Sequence, residues 1–151
     1  SAASSADPPA PAADRQQAPD SAEGWRAVVD ELYRRRGAAF AAGSAEALAD
    51  VYVAASAAAE ADAQHLAALT AAGEVLRGFA PTVVRVTAVG ADGGRVSLDV
   101  VDRRPDYAVV PASRPDDVPV RTVEGRGDAA VRLVLFRTAL GWRIESGERL
   151  A

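Results

Sequence analysis

No cysteine occurs in the 151 residues, and methionine is missing as well. Lysine and asparagine are also absent. Without thiols there is no disulfide framework, no thiol nucleophile and no Cys-ligated zinc or iron–sulfur cluster. Histidine occurs once, as His65, so a histidine-based metal cluster is excluded and a facial metal site would need carboxylates from scattered positions. No metal and no cofactor are therefore expected. No Ser-His-Asp grouping, phosphate-cradling glycine loop or dinucleotide fingerprint is present. Apolar runs fall far short of the ~20 residues that span a bilayer. The formal charge of −4 is far from the basic balance of a nucleic-acid binder, which removes nucleic acid and acidic membrane surfaces as leading partners.

Alanine is abundant instead. Of the 49% hydrophobic residues, 36 are Ala, which leaves larger apolar side chains for one modest core. All 17 basic residues are Arg, the mark of a high-GC coding bias rather than of function. The length suits one domain plus a tail. Residues 1–19 carry four of the nine prolines among Ala, Ser, Asp and Gln. They read as a disordered Pro/Ala/Ser tether, and 20–151 as a single domain. The chain does not start with Met, and the expectation is that an upstream part holding a membrane anchor, a helix or a lipid, has been removed. That points to an extracytoplasmic domain, membrane-anchored or a lipoprotein, touching the membrane only through the missing anchor.

Asp20 or Ser21 caps a first helix, about Ser21 to Ala42, in which Trp25, Val28, Val29, Leu32, Tyr33, Arg36 and Phe40 repeat at steps of three and four. Gly43 ends it. A second helix is expected from about Ala45 to Ala54, and a third from Ala57 to Ala72 with His65, Leu66, Leu69 and Ala72 on one side, stopped by Gly73. Alternating β-branched stretches follow at Thr82–Val89, Arg95–Val101, Tyr107–Val110, Val118–Val123, Ala129–Thr138 and Trp142–Glu145, with a hairpin turn over Ala91–Gly94. The order is α+β, three helices packed on one face of an antiparallel meander. Val96, Leu98, Val100, Val131, Leu133 and Leu135 should face the core. The opposite face mixes Arg85, Asp99 and Arg132 with Val101, Val134 and Phe136, which makes it an interaction surface or a patch covered by the chain's own ends.

Three helices before a long curved sheet resemble the nuclear transport factor 2-like, or SnoaL-like, cone fold with its cystatin-like layout. The segments Leu48-Ala49-Asp50-Val51-Tyr52, Ser56, Asp62, Leu66 and Leu69, Val100-Val101-Asp102-Arg103 and Gly141-Trp142-Arg143-Ile144 look like domains of this class found beyond a membrane anchor in high-GC bacteria. The resemblance implies the cone, not an activity, because the class holds isomerases, dehydratases, cyclases and modules without chemistry.

Candidate pocket-lining residues are Tyr33, Tyr52, Asp62, His65 and Asp102; none is assigned as catalytic. His65 shares a helix face with Asp62, as a general acid–base pair, as a helix-surface ion pair, or as a partly buried histidine. Asp102 keeps the inward parity of Val100, as a pocket carboxylate or as a strand end paired with Arg103, Arg104 or a turn amide. Tyr33 and Tyr52 lie on apolar helix faces, with hydroxyls at a ligand or at the core rim. Arg34-Arg35-Arg36 reads as a solvated face with snorkelling stems. Arg126-Gly127-Asp128 spells an adhesion tripeptide at a spacing that suits a bulge or turn. The leading expectation is a non-enzymatic binding or assembly module that meets a protein partner, or a second copy as a homodimer, through the outer sheet face. The alternative is a small-molecule-binding or isomerase/dehydratase-type enzyme using the cone.

One expectation is testable at once. Deleting Ser1 to about Asp20 should leave the thermal midpoint nearly unchanged, and a loss of several degrees would show that this segment packs on the domain.

Overall fold

The computed structural model describes residues 17–150. Residues 1–16 of the expected tether lie outside them. Of its last residues, Gln17 accepts a long bond from the Trp142 indole N–H at 3.4 Å through its carbonyl.

Helix α1, Ala22–Ala42, starts at Ser21, whose extended backbone frees its hydroxyl to accept from Gly24 N–H at 3.1 Å. Gly43 ends it in the left-handed region at φ 67°. Trp25, Val29, Leu32 and Phe40 are buried along one stripe. The second expected helix is not formed: Glu46–Asp50 makes a five-residue 3-10 turn. Val51 and Val53 pair instead with the far end of the chain, Ile144 N–H donating to Val51 and Val53 N–H to the Ile144 carbonyl, both at 2.8 Å. Those bonds bury Val51 and Tyr52 and outweigh continuing a helix too short to propagate well. The described residues therefore hold two α-helices, not three. Helix α2, Ala57–Ala71, is capped by the Ser56 hydroxyl, which accepts from Ala59 N–H at 3.1 Å. Its buried face is Asp62, Leu66 and Leu69, and His65 is exposed rather than on the core side.

Seven strands follow: β1 Glu74–Arg77, β2 Thr82–Asp92, β3 Arg95–Arg104, β4 Tyr107–Pro111, β5 Arg121–Val123, β6 Arg126–Thr138 and β7 Gly141–Arg149. They do not form one meander. An antiparallel sheet ordered β2-β3-β6-β7 stands beside a three-stranded sheet ordered β1-β4-β5. The cause is β1, four residues with no clear alternation, which captures β4 and so draws β4 and β5 away from their sequence neighbours. The expected parity holds: Val96, Leu98 and Val100 sit opposite Leu135, Leu133 and Val131, and all six are buried. Helix α1 lies against β2, and α2 against β7 and β1. Register shifts in the pairings of β2–β3, β3–β6 and β6–β7 bend the larger sheet around the helices. In the β3–β6 pairing Asp102 faces Ala129 and Arg104 faces Arg126, so the extra residue falls in Arg126-Gly127-Asp128, inside β6 rather than in a turn.

At Gly37 in α1 a side chain is opposed by neighbouring backbone. A Cβ there would stand 2.7 Å from the Phe79 carbonyl oxygen.

Leu98 is fully buried while its neighbour Asp99 faces outward. Leu98→Ala should cost about 2 to 5 kcal/mol in chemical denaturation, and Asp99→Ala less than about 1 kcal/mol. Equal costs would put the parity wrong by one residue. Gly37→Ala, which in a free helix would add about 1 kcal/mol of stability, should lower the melting temperature here because the Phe79 carbonyl has to move; a rise would refute the close approach.

Candidate functional site

A cavity of about 460 Å³ opens between the two helices and the β3-β6-β7 strands. Tyr33, Tyr52, Asp62, His65 and Asp102 all line it. Tyr33 and Arg36 stand one turn apart on α1. Tyr52 is held by its bridge to Ile144, Asp62 and His65 come from α2, and Asp102 closes the inward row of β3.

The polar groups form two clusters. In the first, Arg36 forks onto Asp62, with Nε 2.6 Å from one carboxylate oxygen and Nη2 3.0 Å from the other, and the Tyr52 hydroxyl donates to the same carboxylate. The Arg36 guanidinium also lies over Phe79, 5.0 Å from the ring centroid. In the second, buried Asp102 accepts from the Tyr33 hydroxyl at 2.6 Å, from Arg126 at 2.8 Å and from Arg149 at 3.4 Å. Burial, reinforced by the neighbouring carboxylates, pushes both phenols well above the ordinary tyrosine range. Burial pulls the Arg36 guanidinium the other way, but its bonds to Asp62 and the charge nearby outweigh that and hold it protonated.

The expected Asp62–His65 pair is not made. Asp62 turns to Arg36 and Tyr52, while the His65 ring leans on Phe40 with centroids 5.1 Å apart. Asp102 takes neither Arg103 nor Arg104. Arg103 bonds Asp128 at 2.9 Å, and the Arg104 guanidinium lies 5.2 Å over the Tyr107 ring. Both charged members of the adhesion-like tripeptide are thus engaged within the domain. Arg36 belongs to the cavity wall, not to a solvated face; its place in the apolar stripe of α1 was the signal, since it follows Tyr33 by three positions. Arg104, Arg126 and Arg149 also line the cavity, and no local pattern marks them.

On the outer face, Asp99 and Arg132 stand opposite each other and form a fork at 2.7 and 3.0 Å. Arg95 and Glu145 form another at 2.7 and 2.8 Å, with Arg95 over Phe136. Among the described residues, no group of three or more His, Asp or Glu is placed to hold a metal ion, and no helix is long and apolar enough to cross a membrane.

No protein-family model and no curated protein matches the chain. Solved structures do. The intermembrane-space region of the chloroplast protein ARC6 is similar at 19% identity and a TM-score of 0.64, over 89% of this chain and 99% of that one. Aln2 from a Streptomyces species is 21% identical with a TM-score of 0.49, over 88% and 94% of the two chains. An NTF2-like protein with a cystatin-like fold from Novosphingobium aromaticivorans is 21% identical with a TM-score of 0.44, over 82% and 79%. At such identities the likeness is one of fold. Helices laid over bulged antiparallel strands around a cavity are the arrangement that the resemblance to the nuclear transport factor 2-like cone implies, and the chain shares its fold with the first of these structures.

Proposed function

We propose that the chain is a non-enzymatic binding module whose receptor site is the cavity of the cone, working outside the cytoplasm on a tether to a membrane anchor. The observation that carries this reading is the state of the two cavity carboxylates. Asp62 spends both oxygens on Arg36 and takes the Tyr52 hydroxyl besides. Asp102 is held by Tyr33, Arg126 and Arg149. A general base needs a lone pair facing the substrate, and a general acid a group that gives up its proton at the working pH. The carboxylate oxygens here are taken by guanidinium groups and phenols, and the phenols, driven upward by burial, keep their protons, so together they make a rigid polar wall. The extracytoplasmic placement is supported by the Pro/Ala/Ser composition of residues 1–19, and by a fold neighbour that is itself named as an intermembrane-space region.

An isomerase or dehydratase reading has one observation in its favour, the convergence of Tyr52 on Asp62 and of Tyr33 on Asp102 within one cavity. Incubating the protein with a library of small ketones and organic acids, and recovering them for mass spectrometry and NMR, separates the two. Compounds retained and returned unchanged fit a binding module. Conversion of any of them, reduced about 100-fold or more by Asp62→Asn or Asp102→Asn, would overturn it.

Association with a protein partner or a second copy through the outer sheet face is a separate proposal, supported by half-buried Val101, Val134 and Phe136 among the ion pairs. Light scattering at rising concentration should give a dimer that Phe136→Glu dissociates; a monomer throughout would dispose of self-association.

The raised phenols give a pH dependence of defined sign. Below the ordinary tyrosine value of about 10 the folded and unfolded chains hold the same phenolic protons; above it the unfolded chain loses them first, so stability falls as pH rises. The slope above that point should be shallower in Tyr33→Phe combined with Tyr52→Phe. Ultraviolet titration of the folded protein should show these two of the three tyrosines still protonated when free tyrosine has ionised. An unchanged slope in the double variant would mean that the hydroxyls are hydrated.

A further inference from the structure

Four arginines and two aspartates line the cavity, so its wall carries two more positive than negative charges, in a chain whose net charge is −4. The excess is concentrated at one end. Arg36 and Asp62 match one to one, as a fork at 2.6 and 3.0 Å. Asp102 is the one cavity carboxylate left for Arg104, Arg126 and Arg149, and it bonds only the last two, at 2.8 and 3.4 Å. Arg104 donates from Nη2 to the Glu124 carbonyl at 2.8 Å, and its Nε is buried with no hydrogen-bond partner among the described residues. Arg104 and Arg126 also stand directly opposite each other in the β3–β6 register. Like charges facing across strands destabilise a sheet, and a buried unpartnered donor carries its full desolvation penalty. The first of these costs falls when an anion sits between the guanidinium groups, whose forked N–H donors match a carboxylate.

Part of the rest of the wall is aliphatic. Val131, Leu133 and Ile144 line it, and about 460 Å³ is far more room than a small inorganic anion fills. We propose that the cavity binds an organic carboxylate with an apolar body, its headgroup held by Arg104, Arg126 and Arg149 and its body against Val131, Leu133 and Ile144. This rests on the reading of the cavity as a receptor and adds the class of ligand.

The test is calorimetric titration of the full chain at low salt with octanoate, octanol, octylammonium and acetate. Octanoate should bind about tenfold or more tighter than each of the others, and rising salt should weaken it. Arg104→Gln and Arg149→Gln should each weaken octanoate severalfold and leave octanol alone, with Arg149→Lys restoring part of the loss. Arg149 is exposed, which keeps the test valid if Arg104→Gln fails to fold; melting temperatures check both. Octanol or octylammonium binding as tightly as octanoate would overturn the anionic preference and leave the receptor reading standing. Acetate binding as tightly would overturn the apolar body. Binding of none of the probes would overturn the receptor reading itself.

Discussion

The fork of Arg36 onto Asp62 is the contact on which the cavity depends. It ties α1 to α2 across the space the helices would otherwise close, and a guanidinium so placed must keep its carboxylate or face burial unpaired. Other groups are arranged around that need. Tyr52 comes to the carboxylate because Val51 and Val53 zip onto Ile144, and this is why the 3-10 turn ends where it does. Phe79 lies under the Arg36 guanidinium at 5.0 Å and meets Tyr107 edge-on at 5.0 Å, and Arg104 lies over Tyr107 at 5.2 Å. An unbroken row of charge and ring contacts thus runs from Asp62 to Arg104. The bare Cα of Gly37 lets the Phe79 backbone come close enough to join it.

At the opposite wall the constraint is the register of β6. A residue added between Arg126 and Ala129 lets Arg126 turn back to the Asp102 side chain and to its carbonyl, at 2.8 and 3.2 Å. It also sets Arg126 opposite Arg104. Bulges that bend the sheet into a cone therefore gather the cations at its end, so the shape of the cavity and its electrostatics have one origin. On the outer face the same strands place Asp99 opposite Arg132, where the charges cancel in water and are worth little.

Elements whose signal is local were legible from the residues. Ser21, one of two cap candidates, caps α1, Gly43 and Gly73 stop the chain in the left-handed region, and Val96 to Val100 against Val131 to Leu135 carry period-two parity. Elements decided by distant pairing were not. Glu74–Arg77 becomes a strand only because β4 lies beside it, and Ala45–Ala54 loses its helix to Ile144, far along the chain. The site divides in the same way. Tyr33, Tyr52, Asp62, His65 and Asp102 fall on faces that periodicity identifies, and the cavity gathers them. Their partners do not, because Arg126 and Arg149 reach Asp102 through register and through the length of an arginine side chain. Arg36 is the exception: a charge within an apolar helical stripe must find a buried partner, and the triple-arginine run concealed it.

Whether a cone of this kind performs chemistry or only holds a ligand turns on the company its carboxylates keep. A carboxylate facing an apolar wall gains proton affinity and becomes a base, whereas one bonded by arginine and a phenolic hydroxyl is spent on structure. Both cavity aspartates here are of the second kind, and the charge left in excess along the wall is cationic, on Arg104, Arg126 and Arg149. Donors fixed by stacking and by strand register are arranged before any ligand arrives, and an anion entering among them loses little to reorganisation. The surplus of cations near Asp102 lies beside aliphatic side chains, Val131 standing directly opposite Arg149 in the β6–β7 register, so a ligand that carries both a charge and an apolar body meets both kinds of wall at once.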